Sequence, residues 1–217
     1  MPDIFDEVSE DLRAERAQLL LRRYAPLIIA VAVVIIATAG GWQVWRWRQA
    51  KEDVAAGQLY LAAMNLEAVP AASTDPKAVI AQFGAVAKDA PEGYRTLARL
   101  QTAALEAKNG DQHAALTLWN DVATDESADP LLRDLANLLW CQNQIDSGDP
   151  EFLAGRLKAL AEPGNAWRPL AEEQLAMLDL RQGKTATAKS ALTRLSQDIT
   201  APEGVRRRAS ALLAQLG

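Results

Sequence analysis

From Tyr24 to Trp45 the chain runs for 22 residues without one charged side chain, and no other stretch of its 217 residues is comparable. As a helix rising about 1.5 Å per residue, this run is roughly 33 Å long, against about 30 Å of bilayer hydrocarbon. Lipid offers no partner to a free N–H or C=O, so a spanning segment of this kind has to be helical. Pro26 falls in the first turn, where its missing N–H is harmless. Arg22, Arg23 and Tyr24 stand at one end, and Trp42, Trp45, Arg46, Trp47 and Arg48 at the other. Aromatic rings and snorkelling arginines at headgroup depth are what a membrane interface favours, so these residues form the expected membrane-interface set.

Two other readings compete. Ala37-Thr38-Ala39 has the small-x-small pattern of a signal-peptide cleavage site. Against cleavage, the arm of 23 residues before the run carries six acids, and the apolar run continues past that site into the Trp/Arg belt. A buried core helix is disfavoured because soluble helices rarely carry apolar residues on every face for this length. Orientation rests on Arg13, Arg16, Arg22 and Arg23 on one side against Arg46, Arg48 and Lys51 on the other. The larger positive count places the N-terminus inside and the long remainder outside the cytoplasm. Residues 1–23 then read as a cytoplasmic juxtamembrane helix, acids first and arginines last as the helix dipole favours. A solvated helix is preferred there to a docking site.

The remainder, 46–217, reads as helical throughout, rich in Ala, Leu, Gln, Glu and Arg, with Gly-Asp, Asp-Pro and Glu-Pro punctuation at short intervals. Self-similarity is its informative property. Fifteen residues before Gly110, Gly148 and Gly183 stand Arg95, Arg133 and Arg168. Leu97-Ala98, Leu135-Ala136 and Leu170-Ala171 follow, then the small residues Ala103, Cys141 and Ala176. Nine after each Gly come Trp119, Leu157 and Leu192, and twelve after come Val122, Leu160 and Leu195. The intervals are 38 and 35 residues, Arg206 begins an incomplete copy, and Phe83, Val86 and Pro91 mark a degenerate earlier one.

Each unit is predicted to be a helix hairpin, its first helix closed by a Gly able to take a left-handed cap. One hairpin cannot cover its own apolar faces, so several must stack. The expected fold is therefore all-α: an N-terminal transmembrane helix over 24–45, followed by an α-solenoid of tetratricopeptide-like helix hairpins. The predicted repeats are about 52–91, 94–129, 130–166 and 167–202, with a capping helix at 203–217. HEAT-like helix pairs are the alternative, because Arg99, Asn137 and Glu172 replace the aromatic usual early in the first helix and the connection around Val69–Pro76 is long.

Little in the chain points to chemistry. With one Cys and one His there is no disulfide framework, no multi-Cys zinc site and no His cluster. A net charge of −5 argues against phosphate-backbone binding. His113 has no carboxylate or Ser partner nearby in sequence, and Cys141 occupies the small packing position of its repeat. No phosphate-cradling loop, nucleophile elbow or paired metal-ligand spacing appears. No catalytic, cofactor or metal residue is therefore expected, and the chain is read as no enzyme. Partner binding is expected on the first helices of the hairpins, at Leu100, Ala104, Leu138, Gln142, Glu173 and Met177. A second candidate is the edge carrying Arg95, Arg133, Arg168 and Arg206, which either reads an acidic partner or pairs internally with Asp125, Glu126, Asp129 or Glu203.

The opening Ile4-Phe5-Asp6-Glu7-Val8-Ser9-Glu10-Asp11-Leu12-Arg13, the single span ending Gly40-Gly41-Trp42 and the Ala-rich repeats resemble the bacterial YfgM-like family, the ancillary subunit of the SecYEG translocon. The resemblance implies a single-pass inner-membrane protein with a cytoplasmic N-terminus and a periplasmic tetratricopeptide domain. It implies association with SecYEG and a PpiD-like periplasmic chaperone, in aid of newly translocated proteins, and it brings no catalytic residues. An assembly factor for another cell-envelope complex is the alternative function.

Overall fold

The computed structural model describes residues 4–68 and 75–217, with side chains from residue 29 onward except residue 32. Among the described residues all regular structure is helical, in the order α1 (Ile4–Glu67), α2 (Pro76–Asp89), α3 (Glu92–Lys108), α4 (Gln112–Thr124), α5 (Pro130–Asn143), α6 (Pro150–Leu160), α7 (Arg168–Arg181), α8 (Thr185–Gln197) and α9 (Glu203–Leu216). Two compact units are distinguished, one ending at Glu52 and one running Asp53–Gly217. Of the connection around Val69–Pro76, residues 69–74 lie outside the described residues.

In the first unit, α1 from Ile29 is long and apolar enough to cross a membrane, and none of its apolar window is buried. The Thr38 hydroxyl is satisfied within the helix: Oγ1 donates to the carbonyls of Val34 and Ile35, each at 2.9 Å. Trp42 and Trp45 pack in a tilted arrangement, 5.1 Å between centroids and 43° between ring planes, and the Lys51 ammonium lies 3.7 Å above the Trp47 ring. Arg46 and Arg48 are exposed beside them. The side chains of Arg22, Arg23 and Tyr24 lie outside the described residues.

The second unit starts each of several helices the same way. Asp75, Asp111, Asp129 and Asp149 precede α2, α4, α5 and α6, and each carboxylate accepts from a backbone N–H in the first turn. Pro76, Pro130 and Pro150 follow three of these caps at the position that needs no N–H. The Gly closing α3 and the one closing α7 are left-handed, φ 93° at Gly110 and 73° at Gly183. Gly148 departs from the expectation, since its φ is not positive. Space is tight there instead: a Cβ would lie 3.0 Å from the Gln144 carbonyl oxygen and 3.1 Å from Leu153 Cδ1, so a neighbour would have to give by a few tenths of an ångström.

Packing repeats with the sequence period. The last turns of α1 with α2 and α3 enclose Ala63, Val79, Phe83 and Ala98. Next, α3, α4 and α5 enclose Ala103, Trp119, Val122 and Ala136. Then α5, α6 and α7 enclose Cys141, Leu157, Leu160 and Ala171. Finally α7, α8 and α9 enclose Ala176, Leu192, Leu195 and Ala209. Each core thus takes the small residue of a first helix, two large residues of its second helix, and an Ala from the next first helix. That Ala lies five residues before the next small position, so every internal first helix serves two cores. The outermost helices each serve one core and leave the other position in the open. In α1 that position, five residues before Ala63, is the polar Gln58; in α9, five residues after Ala209, it is Ala214. Both are exposed.

The stack is closed on one side and open on the other. α3 touches α5, α5 touches α7 and α7 touches α9. The backbones of α4, α6 and α8 stay out of contact with one another, bridged between α4 and α6 by Arg156, which donates to Asn120 Oδ1 at 3.0 Å. First helices packed close with second helices held apart make the first-helix side the inner, concave one.

Candidate partner-binding groove

Along the inner side, successive first helices are tied by long-range polar contacts. Gln101 Nε2 on α3 donates to Glu67 on α1 at 2.7 Å. An Arg181 nitrogen on α7 donates to the Ile145 carbonyl just past α5 at 2.8 Å. On α9, Arg208 donates through Nε and one Nη to the two oxygens of Glu173 on α7, both at 2.6 Å. This fork-on-fork geometry is the strong form of the arginine–carboxylate pair. Glu173 is 5% exposed, in the register position that holds Leu100 in α3 and Leu138 in α5. Its hydrogen bond to Arg208 is the main cause that raises the guanidinium above its ordinary pKa.

Between α5, α7 and α9 these contacts leave a cleft of about 450 Å3 lined by Gln142, Ile145, Gln174, Met177, Leu212 and Gln215, with Arg208 and Glu173 in its wall. Its lining is apolar chains alternating with amides. The inner side continues at α1 with Leu61, 61% exposed, and Met64, and at α3 with Leu97 and Ala104. A second depression of about 480 Å3 opens on the outer side between α6 and α8, with Glu151, Lys158, Lys184 and Arg194 around it.

The residues singled out in the sequence fall into three kinds. Gln142 and Met177 line the cleft, and Ala104 is exposed on the inner side. Leu100 and Leu138 are buried in the cores between hairpins, because that register position points under the neighbouring helix. Glu173 is engaged by Arg208. Residues that sequence reasoning missed are Ile145, Gln174, Arg208, Leu212 and Gln215. Gln174 and Leu212 sit three residues before Met177 and Gln215 in matching registers, a signal present in the repeat offsets.

The arginine edge is not uniform. Arg168 binds Asp198 at 3.2 Å and Glu172 at 3.7 Å. Arg95 and Arg206 each keep a buried Nε without a hydrogen-bond partner, and Arg133 is half-buried. The internal partner expected at Asp125 goes instead to Arg99, one helical turn beyond Arg95, at 3.0 Å. Asp125 also accepts from the Ser127 hydroxyl at 2.6 Å, and Asp198 accepts from the Thr200 hydroxyl at the same distance. These hydroxyl bonds are the first cause that lowers both carboxyls below their ordinary pKa. Arg99 and Arg168 thus close equivalent loops in alternate hairpins, a structural use of the charge.

Neither His113 nor Cys141 lines the cleft. His113 is exposed near the start of α4. Cys141 is buried, and desolvation pushes its thiol up to about 11.

A family profile described as Tetratricopeptide repeat-like domain matches residues 20–213. No curated protein and no solved structure matches the chain.

Proposed function

We propose that this chain, which belongs to the tetratricopeptide repeat-like domain family, is a protein-binding scaffold of the bacterial inner membrane that acts without catalysis. In this reading residues 24–45 cross the bilayer, residues 1–23 are cytoplasmic, and the domain over 46–217 works in the periplasm beside the SecYEG translocon and a PpiD-like chaperone. Tetratricopeptide-like repeats are typically interaction modules, and the observation that carries the reading is the continuous inner side built from successive first helices. Helices stacked about 8–10 Å apart, against about 3.3 Å per residue of extended chain, give roughly three partner residues per hairpin. The apolar helix supplies the second half of the reading. Confinement to a thin layer at the membrane raises the local concentration of the domain towards membrane partners without requiring tight intrinsic binding.

A photo-crosslinking amino acid placed at Ala104, exposed on the inner side, tests the assignment in living cells. Adducts containing translocon subunits or a periplasmic chaperone are expected. Adducts only with another envelope complex would replace the translocon by that complex, and a groove that yields no protein adduct would remove the scaffold reading altogether. Orientation has its own measurement. A reporter active only outside the cytoplasm, fused after Gly217, should score positive; activity of a cytoplasm-only reporter at the same position would reverse the topology.

A further inference from the structure

The inner cleft holds one cation, Arg208, and one anion, Glu173, and the two neutralise each other. Every other lining residue is apolar or an amide. The pairing is costly to build, because Glu173 occupies a register position that holds Leu in α3 and α5 and takes a carboxylate out of water. What the pair changes is the charge of the cleft. Without Glu173, Arg208 would present an uncompensated guanidinium, the natural receptor for a carboxylate.

We propose that Glu173 sets the specificity of the cleft by neutralising Arg208, so that the cleft takes an uncharged, apolar stretch of another polypeptide and turns away acidic ones. This rests on the scaffold reading above and adds the chemistry of its ligand. Ile145, Met177 and Leu212 cover apolar side chains, while Gln142, Gln174 and Gln215 hydrogen-bond the peptide backbone. The charge of the surrounding domain acts in the same direction, with 16 bases against 22 acids over residues 52–217 repelling an acidic segment at longer range.

The test uses the full chain in nanodiscs and two fluorescent peptides of about twelve residues. One is built of Leu, Ala, Ser and Gln; the other is identical except for four acids at its C-terminal end. Wild type should bind the uncharged peptide at least tenfold more tightly. Glu173→Gln should tighten the acidic peptide and shrink that preference at least threefold. Should Glu173→Gln fail to fold, Gln142→Arg adds a cation at an exposed position of the same cleft and should shrink the preference likewise. Equal or tighter binding of the acidic peptide by wild type overturns the proposal, as does an unchanged preference in a folded Glu173→Gln or Gln142→Arg protein. If neither peptide binds while cellular crosslinks from Ala104 persist, the specificity proposal falls and the scaffold reading stands. Loss of those crosslinks removes the scaffold reading itself.

Discussion

Trp119→Ala should cost the repeat domain about 3 kcal/mol, the low end of the range for deleting a buried aromatic side chain. The ring is 2% exposed and fills the space where α4 meets both α3 and α5, against Leu100, Ala103, Val122 and Ala136. Truncation to Ala would leave a cavity bordered by the Leu side chains and Trp140 packed against that core. A partial offset keeps the loss at the low end. Trp119 Nε1 is buried without a hydrogen-bond partner, so the substitution also removes an unsatisfied polar group. Because hairpins in a stack are held only by their neighbours, the damage should appear as broadened unfolding, with the two sides of α4 losing structure at different denaturant concentrations. Urea titration of the full chain, followed by circular dichroism, measures both effects. An unchanged midpoint with an unchanged slope would mean that Trp119 does not join the hairpins.

Alkylation of Cys141 at pH 8 should be at least about a hundredfold slower in the folded chain than in the chain unfolded in urea. The thiolate is the reacting species, and burial moves the thiol from its ordinary 9.0 to about 11, with the nearby Arg156 charge opposing the shift only in part. Two units alone reduce the thiolate about a hundredfold, and restricted access at a fully buried sulfur adds to the protection. The sign for stability follows from the same shift. The unfolded chain releases this proton at lower pH than the folded one, so the contribution is intact below about pH 9 and is lost as pH rises through about 11. Rates in the folded chain, measured by mass spectrometry over a pH series, should climb about tenfold per unit while pH stays well below about 11, whereas those of the unfolded chain should level off above about pH 9. Comparable rates in the folded and unfolded chains would contradict the burial of this residue.

The repeat was legible in the sequence because a stack makes the same steric demand at every hairpin. A first helix can approach its second helix only over a small side chain, so Ala103, Cys141 and Ala176 recur where they do, and all three are fully or almost fully buried. The large residues opposite them recur for the complementary reason. The lining of the cleft was harder to read. Leu138 and Gln142 lie four residues apart on one helix, yet one is buried beneath α6 and α7 while the other faces solvent. That division depends on neighbouring hairpins, which helical periodicity alone does not position. Ion pairing was hidden for the same reason. Arg99 and Asp125 are 26 residues apart, and Glu173 and Arg208 are 35 apart, so each pair is joined by the stack and by nothing local. Gly148 shows a further limit: the repeat predicts a left-handed glycine, but what the structure shows there is closeness to Gln144 and Leu153 without a positive φ.

The polar residue at the outer position of α1 has a consequence for growth of the array. Docking α1 of one molecule onto α9 of another would press Gln58 into a slot that holds Ala98, Ala136, Ala171 and Ala209 in the other first helices. The amide would be crowded and lose its water, at about 1–3 kcal/mol for every buried group left unpaired. Such a joint would also bring no second helix to cover Ala214, so the large side chains that fill every internal core would be missing from this one. Head-to-tail stacking of copies through this joint is thereby discouraged.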